Sequence, residues 1–140
     1  MLILHPAGRT LLGVNLSIPD NRVLGGLLVV AAVPLGWYAI NELILQVTVA
    51  DSHTELVHYG GMAVAAMFIL GMGVLGTIRD RDRRFAAWAA GILAAYVGVS
   101  AIVYPTQTSS PGMVWGVLAI GWGVAFAATA EWSIAQQEAS

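Results

Sequence analysis

Four long apolar stretches dominate the chain, at residues 23–50, 57–78, 85–104 and 113–130. Each approaches or exceeds the ~20 residues that a helix needs to cross a hydrocarbon core roughly 30 Å thick. None alternates polar and apolar residues with the period of a barrel strand. A helix satisfies its own backbone N–H and C=O groups where no water reaches, so four helices are the expectation. The charge content agrees: only 10% of residues are charged, against about 25% in a soluble domain, whose surface needs charge to stay dispersed. The expected fold class is all-α, an integral membrane bundle.

The connections are short: "DSHTEL", "RDRDRR" and "PTQTSSPG". Short loops make neighbouring helices antiparallel, which gives an up-down bundle. The expected organisation is an N-terminal cytoplasmic or interfacial segment at 1–22, a four-helix membrane domain at 23–130 and a cytoplasmic tail at 131–140. All six basic residues are arginines, at Arg9, Arg22, Arg79, Arg81, Arg83 and Arg84. They fall on one side of the predicted topology, so the positive-inside rule places both termini in the cytoplasm of a multi-pass cell-membrane protein. The N-terminal segment has no basic run ahead of its apolar residues and no small-x-small cleavage site, so it reads as mature sequence. Asp20 or Asn21 is the expected cap of the first span, and His5 carries no assigned role. Arg79, Arg81, Arg83 and Arg84 could also meet anionic lipid headgroups.

Several function classes lack residues to support them. The chain has no cysteine, hence no disulfide framework and no thiolate metal site. The arginines form neither a groove nor a stripe interleaved with aromatics, which argues against nucleic-acid binding. There is no Gly-x-Ser-x-Gly, P-loop or His-Glu-x-x-His pattern, so neither an enzyme nor a cofactor is expected.

Small residues recur at helical spacing. Ala87, Gly91, Ala94 and Gly98 form a stripe in the third span, and Gly112, Gly116 and Gly121 to Gly123 punctuate the fourth. Where lipid removes the hydrophobic drive between helices, such residues let backbones approach closely. The expectation is tight packing within one subunit or between copies. Pro34 removes one helical hydrogen bond and should bend the first span.

The polar residues inside the first span are the best candidate site. Glu42 lies nine residues before Asp51, roughly 13 Å along a helix axis. A charged side chain at the centre of a membrane helix costs on the order of 3 kcal/mol. Tyr38, Glu42 and Gln46 recur at i, i+4, i+8 and share a face on which they can hydrogen-bond in series. Asn41 lies about 100° round the helix, closer to Trp37 and Thr48. Three readings follow: a protonated or hydrogen-bonded packing acid that joins helices, a proton- or cation-binding site formed by Glu42, Tyr38, Asn41 and Gln46, or a charge that snorkels to the outer surface. A second candidate gathers Asp51, His53, Glu55 and His58 at the same end. Carboxylate and imidazole together can bind a divalent metal, and Glu55-x-x-His58 would share a face if the second helix begins early.

Four helices with a lone acid in the first, within "AINE" at residues 39–42, resemble the small multidrug resistance transporters in layout. That resemblance implies a dimer in which Glu42 binds protons and cationic compounds. The chain departs from the family in its N-terminal extension and in placing Glu42 late in a long helix. The leading functional expectation is a non-enzymatic structural or accessory component of a membrane complex, with the bilayer and either further copies or other membrane subunits as partners. A small proton- or cation-coupled transporter or channel is the alternative, and a metal- or haem-binding electron-transfer subunit comes third.

Overall fold

The computed structural model describes residues 22–78 and 81–139. His5, Asp20, Asn21 and Arg79 lie outside the described residues. Among those described, all regular structure is helical: α1 (Arg22–Thr48), the single-turn α2 (Ser52–Glu55), α3 (His58–Ile78), α4 (Arg83–Val103) and α5 (Met113–Glu138). The four longer helices are each long and apolar enough to cross a membrane, which is compatible with a multi-pass membrane protein. They form a bundle in which α1 packs on α3, α3 on α4 and α4 on α5, with a narrower contact between α1 and α5. Helix α1 runs continuously through Pro34.

Helix α5 continues to Glu138, through the residues expected as a tail. Hydropathy marks where a span leaves the apolar layer, not where a helix ends. Alanine, glutamine and glutamate after Ala130 are good helix formers and carry the helix on.

The interior is built from small residues and the perimeter from large apolar ones. Most buried hydrophobic residues are alanines, among them Ala39, Ala63, Ala87, Ala94 and Ala130. By contrast Val33, Trp37, Val47 and Phe85 are exposed over more than two-thirds of their surface, at 74%, 74%, 81% and 73%. Water would drive such side chains inward, whereas helices in lipid associate through small residues that shorten the distance between backbones.

That rule is followed most closely between α4 and α5. A Cβ built on Gly91 would come 2.7 Å from the Gly123 carbonyl oxygen, and one on Gly98 would come 2.5 Å from that of Gly116. The relation is reciprocal: a Cβ on Gly116 meets the Gly98 oxygen at 2.6 Å, and one on Gly123 meets the Gly91 oxygen at 2.5 Å. The two glycine pairs are seven residues apart on both helices, so two antiparallel backbones touch at two levels. This is packing within one subunit.

The end of the bundle that carries Arg81 is fixed by larger groups. Phe126 and Leu24 are fully buried there with Ala87, Ala90 and Ala130. Trp122 stacks on Phe126 with ring centroids 4.9 Å apart, and its Nε1–H donates to the Leu27 carbonyl at 2.8 Å, tying α5 to α1.

Candidate functional site

Glu42 occupies the inward face of α1 and is 2% exposed. Its partner comes from the other side of the bundle. The segment between α4 and α5 folds through turns closed by Gln107 N–H to the Tyr104 carbonyl at 3.3 Å and Ser110 N–H to the Gln107 carbonyl at 3.0 Å. These turns bring Ser109 over α1. The Ser109 hydroxyl donates to Glu42 Oε2 at 2.6 Å, and the Tyr38 hydroxyl donates to the Ser109 carbonyl at 2.6 Å. Ser109 has a φ of 66°, a left-handed conformation uncommon outside glycine and asparagine. Two hydrogen bonds to α1 hold it there.

The expected series of hydrogen bonds along Tyr38, Glu42 and Gln46 is thus replaced by a bridge. Tyr38 and Glu42 meet through Ser109. Gln46, one turn further on, serves a different purpose: its Nε2–H donates to the Thr54 carbonyl at 3.0 Å and its Oε1 accepts from the Gly60 N–H at 2.9 Å. One side-chain amide thereby holds the α2 turn and the start of α3 against α1. Asn41 does not join the site. It lies on an exposed flank of α1, because a 100° step from Glu42 carries it out of the interface.

The second candidate cluster is organised by Asp51. Its carboxylate caps α2, accepting from the Thr54 N–H at 2.9 Å, and also accepts from the Tyr59 hydroxyl at 2.9 Å. The Thr54 hydroxyl donates to the Val49 carbonyl at 2.7 Å. The capping N–H of Thr54, with the Tyr59 hydroxyl, holds the Asp51 carboxyl below the usual carboxylate range. His53 Nδ1 lies 3.6 Å from the same carboxylate, and the His53 and His58 ring centroids are 5.6 Å apart.

Glu55 and His58 do not share a helical face. Helix α2 ends at Glu55 and α3 starts at His58, with Val57 between them at a φ of 57°. That left-handed residue redirects the chain and breaks the i, i+3 relation. Asp51, His53 and His58 therefore gather without Glu55, and among the described residues no three histidines or acids are placed to hold a metal ion.

The cap makes a prediction with a defined sign. The folded carboxyl titrates lower than the unfolded one, so its contribution is complete above the ordinary aspartate range near 3.9 and is lost as pH falls through the lowered value. In thermal melts at neutral pH, Asp51→Ala lowers the midpoint, whereas Asp51→Asn, an equally good cap, retains most of it. On acidification the wild type loses part of its advantage over Asp51→Asn.

The four candidate headgroup arginines separate. Arg79 lies outside the described residues and Arg81 is exposed. Arg83 is 2% exposed, with Nη1–H donating to Ser133 Oγ at 3.0 Å and Nε–H to the Gly76 carbonyl at 3.4 Å. Buried between α3 and α5, it is not available to a headgroup. Arg84 binds Glu131 through Nε at 3.0 Å and Nη2 at 3.0 Å. The Trp88 indole N–H donates to the same carboxylate at 2.8 Å.

Ser109 is the residue that sequence reasoning missed. The polar run "PTQTSSPG" falls on the same predicted side as Glu42, but nothing in it distinguishes Ser109 from its neighbours. Compared with models of protein families, with curated proteins and with solved structures, the chain matches none.

Proposed function

We propose that this chain is a non-enzymatic structural or accessory component of a membrane complex, a multi-pass protein of the cell membrane with both termini in the cytoplasm. One observation carries the reading. The inward-facing polar side chains of α1 are engaged by the protein's own connecting segments: Glu42 by Ser109, Tyr38 by the Ser109 carbonyl, and Gln46 by Thr54 and Gly60. Hydrogen bonds of this kind fix how helices and loops sit together where the hydrophobic effect does little of that work. Glu42 acts as a fastening between α1 and the far loop.

A second reading takes the same carboxyl as a proton or cation site. Its support is that an acid buried in a candidate membrane span is held by a single loop residue in a left-handed conformation. Displacing that residue would open the carboxyl to water at the end of the bundle. Ionisable residues inside membranes commonly mark such pathways.

Purification of the tagged chain from its native membrane in mild detergent, with mass analysis, separates the two. The accessory reading expects another polypeptide in fixed ratio, retained by Glu42→Gln. It fails if the chain purifies without other subunits and drives proton or cation flux in liposomes that Glu42→Gln abolishes.

A further inference from the structure

Glu42 lies beside water and is screened from it by one segment. Residues 105–112, which join α4 to α5, reach α1 at the level of Tyr38 and Glu42. Pro105, Thr106, Gln107 and Thr108 are exposed, so the segment has an aqueous face, yet the carboxyl beneath it is 2% exposed. Among the described residues, both hydrogen bonds between this segment and α1 belong to Ser109, whose hydroxyl donates to Glu42 and whose carbonyl accepts from Tyr38. The bonds from Gln107 N–H to Tyr104 and from Ser110 N–H to Gln107 close turns within the segment and travel with it. Gly112, with a φ of 87°, forms the junction with α5, and nothing lies within 4 Å of a Cβ built there.

Two effects of similar size oppose each other at Ser109. Its hydrogen bonds favour the closed arrangement. Its left-handed backbone disfavours it, because a side chain in that conformation crowds the following carbonyl. A contact balanced in this way opens locally without unfolding the protein. We propose that the 105–112 segment is a lid on Glu42, with Ser109 as its latch: closed, it seals the carboxyl, and lifted, it admits water and a proton or small cation from the arginine-free side. The inference rests on the second functional reading, in which Glu42 is such a site, and supplies the gate that the site needs. The helices keep their places as the lid moves. Helices α1 and α3 stay joined through Ala39, Ala63 and Gln46, and α4 and α5 through their paired glycines.

The rate at which a water-soluble carbodiimide, with an amine in excess, modifies Glu42 reads the lifted fraction. Peptide mass analysis of the full chain in mild detergent assigns the modified residue, and the exposed Glu55 is the internal reference. Tyr38→Phe removes the bond to the Ser109 carbonyl and leaves the Ser109 hydroxyl on Glu42. It is expected to speed modification of Glu42 about fivefold, the factor set by one ordinary hydrogen bond, with Glu55 unchanged. Ser109→Ala and Ser109→Gly both lose the hydroxyl, but only alanine keeps the cost of the left-handed backbone. Alanine should therefore expose Glu42 about fivefold more than glycine does. A fixed shield predicts the reverse, since glycine is the smaller residue. Trp122→Phe, which breaks the tie to the Leu27 carbonyl at the other end of the bundle, should leave the rate as it is. Labelling unmoved by Tyr38→Phe overturns the lid, as does a rate in Ser109→Gly that equals or exceeds that in Ser109→Ala. Equal acceleration by Trp122→Phe also overturns it, because general loosening would then be the cause. Liposome flux that Glu42→Gln abolishes, combined with labelling unmoved by Tyr38→Phe, overturns the lid and keeps the site. Faster labelling in a chain that carries no flux keeps the lid and overturns the site.

Discussion

Gly98→Val drives α4 and α5 apart. The first side-chain carbon would lie 2.5 Å from the Gly116 carbonyl oxygen and 2.8 Å from Ile120 Cγ1. The nearer atom belongs to a helix backbone and cannot swing aside like the tip of a flexible side chain. Relief requires the helices to separate by an ångström or more along a seam that Gly91 and Gly123 close a further two turns on. Overpacked cores lose roughly 1–3 kcal/mol, occasionally more, and a clash between backbones belongs at the top of that range. The expected result is a loss of about 3 kcal/mol, or failure to accumulate folded protein, in thermal unfolding followed in detergent. Gly121→Val is the control, since nothing lies within 4 Å of a Cβ there. Equal stability of the two variants would mean that α4 and α5 do not meet through glycine.

The second large effect is expected at Glu42. Replacing it by leucine leaves the Ser109 hydroxyl without its acceptor and sets an apolar branch against the loop. A buried polar group deprived of its partner costs about 1–3 kcal/mol. Glu42→Gln keeps the shape and an oxygen that can accept from Ser109, so it should lose under about 1 kcal/mol. Ser109→Ala removes the other half of the same contact. Because Ser109 and Glu42 touch, the double variant Glu42→Leu with Ser109→Ala should cost less than the two single losses added together. Unfolding midpoints of all four proteins at one detergent concentration settle the comparison. Strict additivity would show that the short contact between Ser109 and Glu42 contributes nothing.

Much of the architecture was legible in the sequence because hydropathy over some twenty residues responds directly to the one requirement of a spanning helix. The starts of α3 and α5 fall where the apolar runs begin. The same logic misses the last turns of α5 after Ala130, which are helical without being apolar. Glycine spacing in the third and fourth spans foretold close packing, but not that Gly91 would meet Gly123 and Gly98 meet Gly116. Pairing depends on the relative offset of two helices, which no single helix encodes. The inward direction of Glu42 and the outward direction of Asn41 follow from a 100° step once one of them is placed.

What remained hidden depends on loops and on context. Ser109 reaches Glu42 only because two turns fold its segment back over α1, and four other hydroxyl or amide side chains nearby read the same in sequence. Arg83 looks like its neighbours in "RDRDRR", yet the start of α4 points it inward while Arg84 turns out to Glu131. Val57 concealed the break between α2 and α3, since a β-branched residue gives no hint of a left-handed backbone.

Labelling of single cysteines in sealed, uniformly oriented vesicles tests the central claim, that the chain crosses the bilayer four times with Glu42 near the arginine-free end. The chain has no cysteine of its own, so Arg81→Cys and Gln107→Cys each report one position, at opposite ends of the bundle. A membrane-impermeant maleimide should reach them from opposite sides, Arg81→Cys from the cytoplasm and Gln107→Cys from outside. Reaction of both from one side would contradict the four-crossing arrangement and the place it gives to Glu42.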